Sequence, residues 1–224
     1  DALEMVMKRC AEEENKLLMP VNAEVLSTDE NGSNIVYDGI NIHIPLAGEH
    51  QIYNAMTVLE TVKALKNIGF SISDEDIVKG IADVRFPARF EKFGTEPLII
   101  VDGAHNPEKL KALAKSLTLL SGRTIHAVIA MMSDKDVTGS LAEILPFCTD
   151  VTVTNLAYSP RAMPVEEISI IAKKYCPTVY CEDDPVKAFE TVLSRCNKDE
   201  VILICGSLYL ASELRPVVIN HTNS

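Results

Sequence analysis

From residue 98 onward the chain alternates between two periods, and this alternation constrains the fold more than any other feature. Short apolar runs lie at 98–101, 125–131, 151–154, 178–181 and 201–205. Helical spacing of apolar residues covers 107–120, 137–146, 164–175, 185–196 and 207–215. Such an order predicts an α/β fold, Rossmann-like, with a mainly parallel sheet and helices on both faces, because each parallel pairing needs a crossover that covers the sheet.

The first part of the chain reads differently. Residues 2–18 place Leu3, Val6, Met7, Cys10 and Leu17 at helical spacing. Over 21–45 the period shortens to about two, which predicts a small β meander with turns at "DENGS" and "DGIN". Residues 49–68 return to a helical period, with Ile52, Ala55, Leu59, Val62 and Leu65 on one face. A short helix follows in "SDEDIVKGIADV", capped by Ser73 or Asp74. The next stretch, "RFPARFEKFGTEP", has two prolines, one glycine and no clear period, and marks the expected domain boundary. The chain opens at Asp1, partway into a helical pattern, which suggests a piece of something longer.

Composition narrows the function. With 224 residues and 47% hydrophobic side chains the chain can bury a sizeable core without staples. A net charge of −11 argues against nucleic acid as the main partner, although it leaves room for small anions at a local site. The six cysteines are scattered and form no CxxC pair, so they read as buried, reduced thiols of a cytoplasmic protein rather than a zinc motif. No signal peptide and no apolar run of membrane-spanning length occurs. Neither G-x-G-x-x-G nor G-x-x-x-x-G-K-[ST] is present, which argues against a dinucleotide-dependent oxidoreductase.

Ligands of a doubly wound sheet bind beyond the carboxyl ends of its strands. The residues just after each apolar run are therefore the candidates. After the first run comes Asp102-Gly103-Ala104-His105-Asn106-Pro107. Asn106 is a good helix cap and Pro107 a good first helical residue, with Leu110, Leu113, Leu117 and Leu120 facing the sheet. Asp102 and His105 thus flank a helix end that is rich in free N–H groups, a place suited to an amino acid or a nucleotide. The plain alternative is that Asp102 ends a strand and His105 is solvated. Ser207 opens the last helix and is sufficiently explained as a cap; Asp136, in "MMSDKD", likewise. Arg89 lies in the linker, and His50 and Asn54 lie four apart on one helical face; alone, each reads as polar surface.

In order, "GEHQIYNA", "RFPARFE", "VDGAHNP", "MMSDKD" and "CGSLYLASELR" make the chain, from about residue 20 to residue 216, resemble the C-terminal half of folylpolyglutamate synthases, including those that are also dihydrofolate synthases, within the Mur ligase superfamily. "TNLAYSPRAMP" at 154–164 fits the same resemblance. The resemblance implies an ATP-dependent ligase that adds L-glutamate to folate or dihydropteroate through an acyl phosphate. It makes residues 1–86 the tail of a central ATP-binding domain and 87–224 a C-terminal glutamate-ligase domain. It implies ATP and Mg2+ as cofactors, with the P-loop and most magnesium ligands outside this chain and no metal ligand within it. No nucleic-acid or membrane partner is expected, and a monomer is. Carried over residue by residue, Asn54 contacts the adenine, Arg89 reaches the ATP phosphates, Asp102 and His105 lie near the nucleotide and the glutamate, and Ser207 belongs to the glutamate site. Arg89, Asp102 and His105 are the expected catalytic residues. Lys135 and Asp136 match a family motif without an assigned role.

The resemblance is imperfect at the linker, where Pro87-Ala88-Arg89 replaces the usual Pro-Gly-Arg. If that position needs positive φ, alanine is strained there by about 1 kcal/mol; if not, the change is benign. Without a P-loop, this chain alone is expected not to turn over ATP. Two other readings stand beside the folate ligase: a different Mur-type amide ligase, and a noncatalytic Rossmann-like binding module.

Overall fold

The computed structural model describes residues 2–120, 122–156 and 159–223. The chain divides into two compact units, one of Asp1–Pro45 with Glu49–Val84, the other of Leu46–Gly48 with Arg85–Ser224.

The first unit holds α1 (Ala2–Glu12), β1 (Glu24–Asp29), β2 (Gly32–Tyr37), β3 (Ile40–Ile44), α2 (Glu49–Asn67) and α3 (Asp74–Ala82). The three strands form the expected antiparallel meander. Asp38 and Gly39 both adopt positive φ, 49° and 78°, which matches the twist of a tight hairpin. Ile35, Tyr37, Ile42 and Ile44 are buried, as are Ile52, Ala55 and Leu59 on one face of α2. Ser73 is the cap of α3, exchanging hydrogen bonds with Asp76 in a capping box. The first helix is shorter than its spacing predicts. Glu14 turns left-handed (φ 54°), and the Asn15 N–H reaches back to Cys10 O at 2.8 Å, which closes the helix end.

The second unit holds β4 (Glu91–Phe93), β5 (Leu98–Val101), α4 (Pro107–Leu117), β6 (Ile125–Ile129), α5 (Val137–Ile144), β7 (Asp150–Val153), α6 (Val165–Ala172), β8 (Val179–Cys181), α7 (Pro185–Arg195), β9 (Val201–Cys205) and α8 (Leu208–Thr222). Its sheet has the order β4-β5-β9-β6-β7-β8; only β4 is antiparallel. Alternation along the strands feeds two cores. Ile100, Leu203 and Ile129 meet Leu110 and Leu113 of α4, Leu141 of α5 and Ile168 of α6 on one face. Ile99, Ile202 and Val128 meet Phe189 of α7 and Leu210 and Leu214 of α8 on the other.

Two elements depart from the sequence reading. β4 is too short to show a period. And α8 runs past Pro216 to Thr222, because Val218 on its buried face still packs at 0% exposure while the proline itself points outward. Packing of the apolar stripe outweighs the one hydrogen bond that proline removes.

The strand order sets up the site. From β5 the chain passes over the position of β9 and enters β6, with α4 on one face. From β9 it leaves into α8 on the opposite face. Neighbouring strands whose following helices diverge to opposite faces open a crevice at their carboxyl ends.

Candidate functional site

At that crevice the backbone before β4 makes a tight turn carrying Arg89. Ala88 and Phe90 both adopt positive φ, 55° and 44°. The left-handed form costs a non-glycine residue roughly 1–2 kcal/mol, so something must hold the turn. Three hydrogen bonds do. The Ala88 N–H donates to Glu91 Oε2 at 2.9 Å, the Gly103 N–H donates to Ala88 O at 2.9 Å, and the Phe90 N–H donates to Asp102 Oδ2 at 2.8 Å. Glu91 is itself held by a two-pronged pair with Arg215 of α8, at 2.7 and 2.8 Å. Burial would raise the Glu91 carboxyl, but the Arg215 guanidinium and the Ala88 N–H outweigh it and keep it below its ordinary value.

Asp102, 8% exposed, extends β5. Its other oxygen accepts from the Ala104 N–H at 2.7 Å. The carboxylate therefore holds main-chain donors on both sides, one in the Arg89 turn and one in the loop to α4. Between them, Gly103 leaves room for two neighbours. A Cβ there would lie 2.2 Å from Leu208 Cδ2 and 3.2 Å from Arg89 Nη1. Arg89 thus rests against Gly103, donates from Nη1 to Ala88 O at 3.0 Å, and stacks over the exposed Phe86 ring at 5.4 Å.

His105 follows. Its Nδ1 is 2.8 Å from Gly103 O, and its Nε2 is 3.3 Å from Lys109 Nζ. A carbonyl only accepts and an ammonium only donates, so Nδ1 carries the proton and Nε2 presents a lone pair outward. Asn106 caps α4 by accepting from the Lys109 N–H at 2.9 Å, with Pro107 in its first turn. Leu110, Leu113, Leu117 and Leu120 are all buried, which fixes the helix end beside His105.

From the neighbouring strand, Gly206 takes φ 97° and its N–H donates to Ala104 O at 2.9 Å. A Cβ at Gly206 would meet Ala130 O at 2.7 Å, so only glycine lets β9 turn into α8 this close to the end of β6. Ser207, 1% exposed, caps α8 through the Tyr209 N–H at 3.1 Å.

The carboxyl rim of this sheet thereby brings Arg89, Asp102, His105 and Ser207 together. Asn54 belongs to the first unit, on α2, where its amide donates to Gln51 Oε1 at 3.0 Å. Asp136 caps α5 through the Gly139 N–H at 2.8 Å, and Lys135 and Arg161 both lie near the Asp134 carboxylate. Of 154–164, residues Ala157 and Tyr158 lie outside the described residues. Sequence reasoning missed Phe86, Glu91, Leu208 and Arg215. Glu91 and Arg215 stand 124 residues apart, and nothing local signals their pairing. It also expected buried cysteines; only Cys148, Cys176 and Cys205 are, while Cys181 is exposed. Among the described residues no helix is long and apolar enough to cross a membrane.

A family model described as Mur ligase, glutamate ligase domain, matches residues 88–208. The dihydrofolate synthase/folylpolyglutamate synthase of Mycobacterium tuberculosis is 38% identical over 135 residues, 59% of this chain and 28% of that protein. The folylpolyglutamate synthase of Lacticaseibacillus casei is 28% identical over 180 residues, 80% of this chain and 41% of that protein. The solved structure of the Mycobacterium tuberculosis folylpolyglutamate synthase complexed with ADP and AMPPCP superposes with a TM-score of 0.81 at 25% identity, over 96% of this chain and 52% of that one. The chain spans less than half the length of either curated relative.

Proposed function

Because this chain belongs to the Mur ligase family through its glutamate ligase domain, we propose that it is part of an ATP-dependent ligase joining L-glutamate to folate or dihydropteroate through an acyl phosphate. In this reading residues 1–86 complete a central ATP-binding domain, with Asn54 against the adenine, and residues 87–224 form the domain that delivers glutamate. Relatives named folylpolyglutamate synthase, one of them solved with ADP and AMPPCP, support it. The observation that carries it is the Arg89 turn, locked by Asp102 at the crevice where β5 and β9 end.

The geometry supports a role for each residue. In this reading Arg89, held through Nη1 by Ala88 O, offers its Nε and Nη2 donors to phosphoryl oxygens. Fixed charge of this kind stabilises the transferring group without reorganisation. Asp102 acts as a positioning residue: its oxygens hold the backbone on either side of Arg89. The His105 Nε2 lone pair, which here takes a hydrogen bond from an ammonium, accepts one from the amino group of glutamate. Ser207 and the end of α8 line the same crevice for the amino acid. ATP with Mg2+ supplies the activation of the folate carboxylate. The residues at this rim fit phosphate oxygens and not the cation, since Asp102 is engaged by two N–H groups and Glu91 by Arg215.

The test is a ligation assay on a protein carrying this sequence together with a P-loop-bearing part, with labelled L-glutamate and either folates or a nucleotide-linked muramyl peptide as acceptor. ATP-dependent transfer to the folate is expected. Transfer to the muramyl acceptor alone, or to neither, overturns the reading.

A further inference from the structure

The opposite rim of the same sheet, at the amino ends of the parallel strands, holds a second cluster that the ligase reading does not use. His126 is the second residue of β6, aligned with Asp150 of β7 and Ile202 of β9. Glu200 immediately precedes β9, and Cys196 ends α7. The side-chain ligand atoms of His126, Cys196 and Glu200 all lie within 4.8 Å of one another. We propose that His126 Nε2, Cys196 Sγ and a Glu200 carboxylate oxygen form a site for a thiophilic divalent cation of the Zn2+ type, closed by a water molecule.

Four observations carry this. The donor set of one imidazole, one thiolate and one carboxylate is the kind Zn2+ takes in tetrahedral sites. The atoms are close enough: tetrahedral ligands at zinc distances stand roughly 3.3–3.8 Å apart, and His126 Nε2 already lies 3.1 Å from Glu200 Oε2. The third is the group behind the histidine. His126 Nδ1 is 2.7 Å from Asp150 Oδ2, while Asp150 Oδ1 takes a hydrogen bond from Arg195 at 2.6 Å. Asp150 orients the ring from the far nitrogen, and Nε2 faces the Glu200 carboxylate, which only accepts, so a cation would take the place of the proton that Nε2 carries there. The last is the hold on Glu200. The Asn197 backbone N–H and side-chain amide donate to its two oxygens at 2.7 and 3.0 Å, which fixes the carboxylate in place. His126 and Asp150 are buried, at 8% and 7% exposure, while Cys196 and Glu200 are half-buried and give a cation access. Cys196 and Glu200 lie four residues apart but His126 lies far from both in sequence, so local cysteine spacing conceals the site. A cation there would tie the end of α7 and the entry to β9 onto β6.

The test uses the reduced 224-residue chain, freed of metal by chelation and titrated with Co2+ and then Zn2+. One equivalent of Co2+ should give a thiolate-to-cobalt absorption band and the intense visible bands of a tetrahedral site, displaced by Zn2+. Replacing the more accessible thiols, Cys10→Ser with Cys181→Ser, should leave these bands intact. Cys196→Ser should abolish the thiolate band and weaken Zn2+ binding at least tenfold, with the circular dichroism unchanged. Glu200→Gln should keep the thiolate band and lower affinity. Absence of a band at one equivalent, its survival in Cys196→Ser, or its loss in the Cys10→Ser/Cys181→Ser variant overturns the proposal.

Discussion

The Asp102 carboxylate meets the Phe90 amide at 2.8 Å, so the end of a core strand pins a turn twelve residues earlier in the chain. Between those two contacts sits Arg89, whose placement depends on main-chain bonds on either side of it. Asp102→Asn would turn one acceptor into a donor facing an N–H group, and should cost about 1–3 kcal/mol of stability, read by urea unfolding. Ligation by the intact enzyme should fall with it. In an Arg89→Ala background the same change should have little further effect on ligation, since both act through one guanidinium.

Arg89→Ala should lower turnover on the order of a hundredfold, the usual size for one fixed donor to a transition state, with unfolding midpoints unchanged. Arg89→Lys should recover only part of it, because a point charge cannot make the two-pronged contact. Steady-state kinetics with near-normal kcat would remove Arg89 from the mechanism.

Ala88 offers a test of strain. At φ 55° it carries roughly 1–2 kcal/mol of left-handed cost. Ala88→Gly relieves that cost, but loses a buried methyl worth about 0.8 kcal/mol and adds chain entropy to the unfolded state. The sum is near zero, so its urea midpoint should match wild type within about 0.5 kcal/mol. Ala88→Val adds a β-branched side chain at the same φ and should lose about 2 kcal/mol or more.

Glu200 sets an acid limit. Its folded carboxyl titrates at about 2 against an ordinary 4.5. A depressed value contributes stability that is complete above the unfolded value and is lost as pH falls toward the folded one. Stability should therefore decline between about 4.5 and about 2, and Glu200→Gln should flatten that decline in metal-free protein, as followed by chemical denaturation at stepped pH.

The chain alone should show no ATP-dependent ligation of glutamate to a folate, because its sequence has no glycine-rich phosphate loop to hold the nucleotide. Detectable product from the purified 224-residue chain would contradict this.

Local chemistry in the sequence revealed most of this fold. The buried runs, the Asn106-Pro107 helix start and the Ser73 cap follow from spacing and from residue type at one position. The order of the strands did not, since the insertion of β9 between β5 and β6 is a pairing across the whole unit. The site divides the same way. Asp102, His105 and Ser207 fall where strands end, so topology alone nominates them. What Asp102 does was hidden, because its partner is a backbone amide that no side chain advertises. The Glu91–Arg215 pair and the joining of His126 to Cys196 and Glu200 were hidden for a related reason, since these partners meet only after the sheet has closed.

The clamp on the Arg89 turn is made of backbone amides held by the Glu91 and Asp102 carboxylates and the Ala88 carbonyl, so it depends on those two acids and is unforgiving about length. Adding or deleting a single residue between Ala88 and Glu91 would slide the N–H groups out of step with Asp102 and Glu91 and swing the guanidinium off its seat on Gly103. Proteins built on this plan should therefore keep both acids and hardly vary at all in how many letters they place around the arginine.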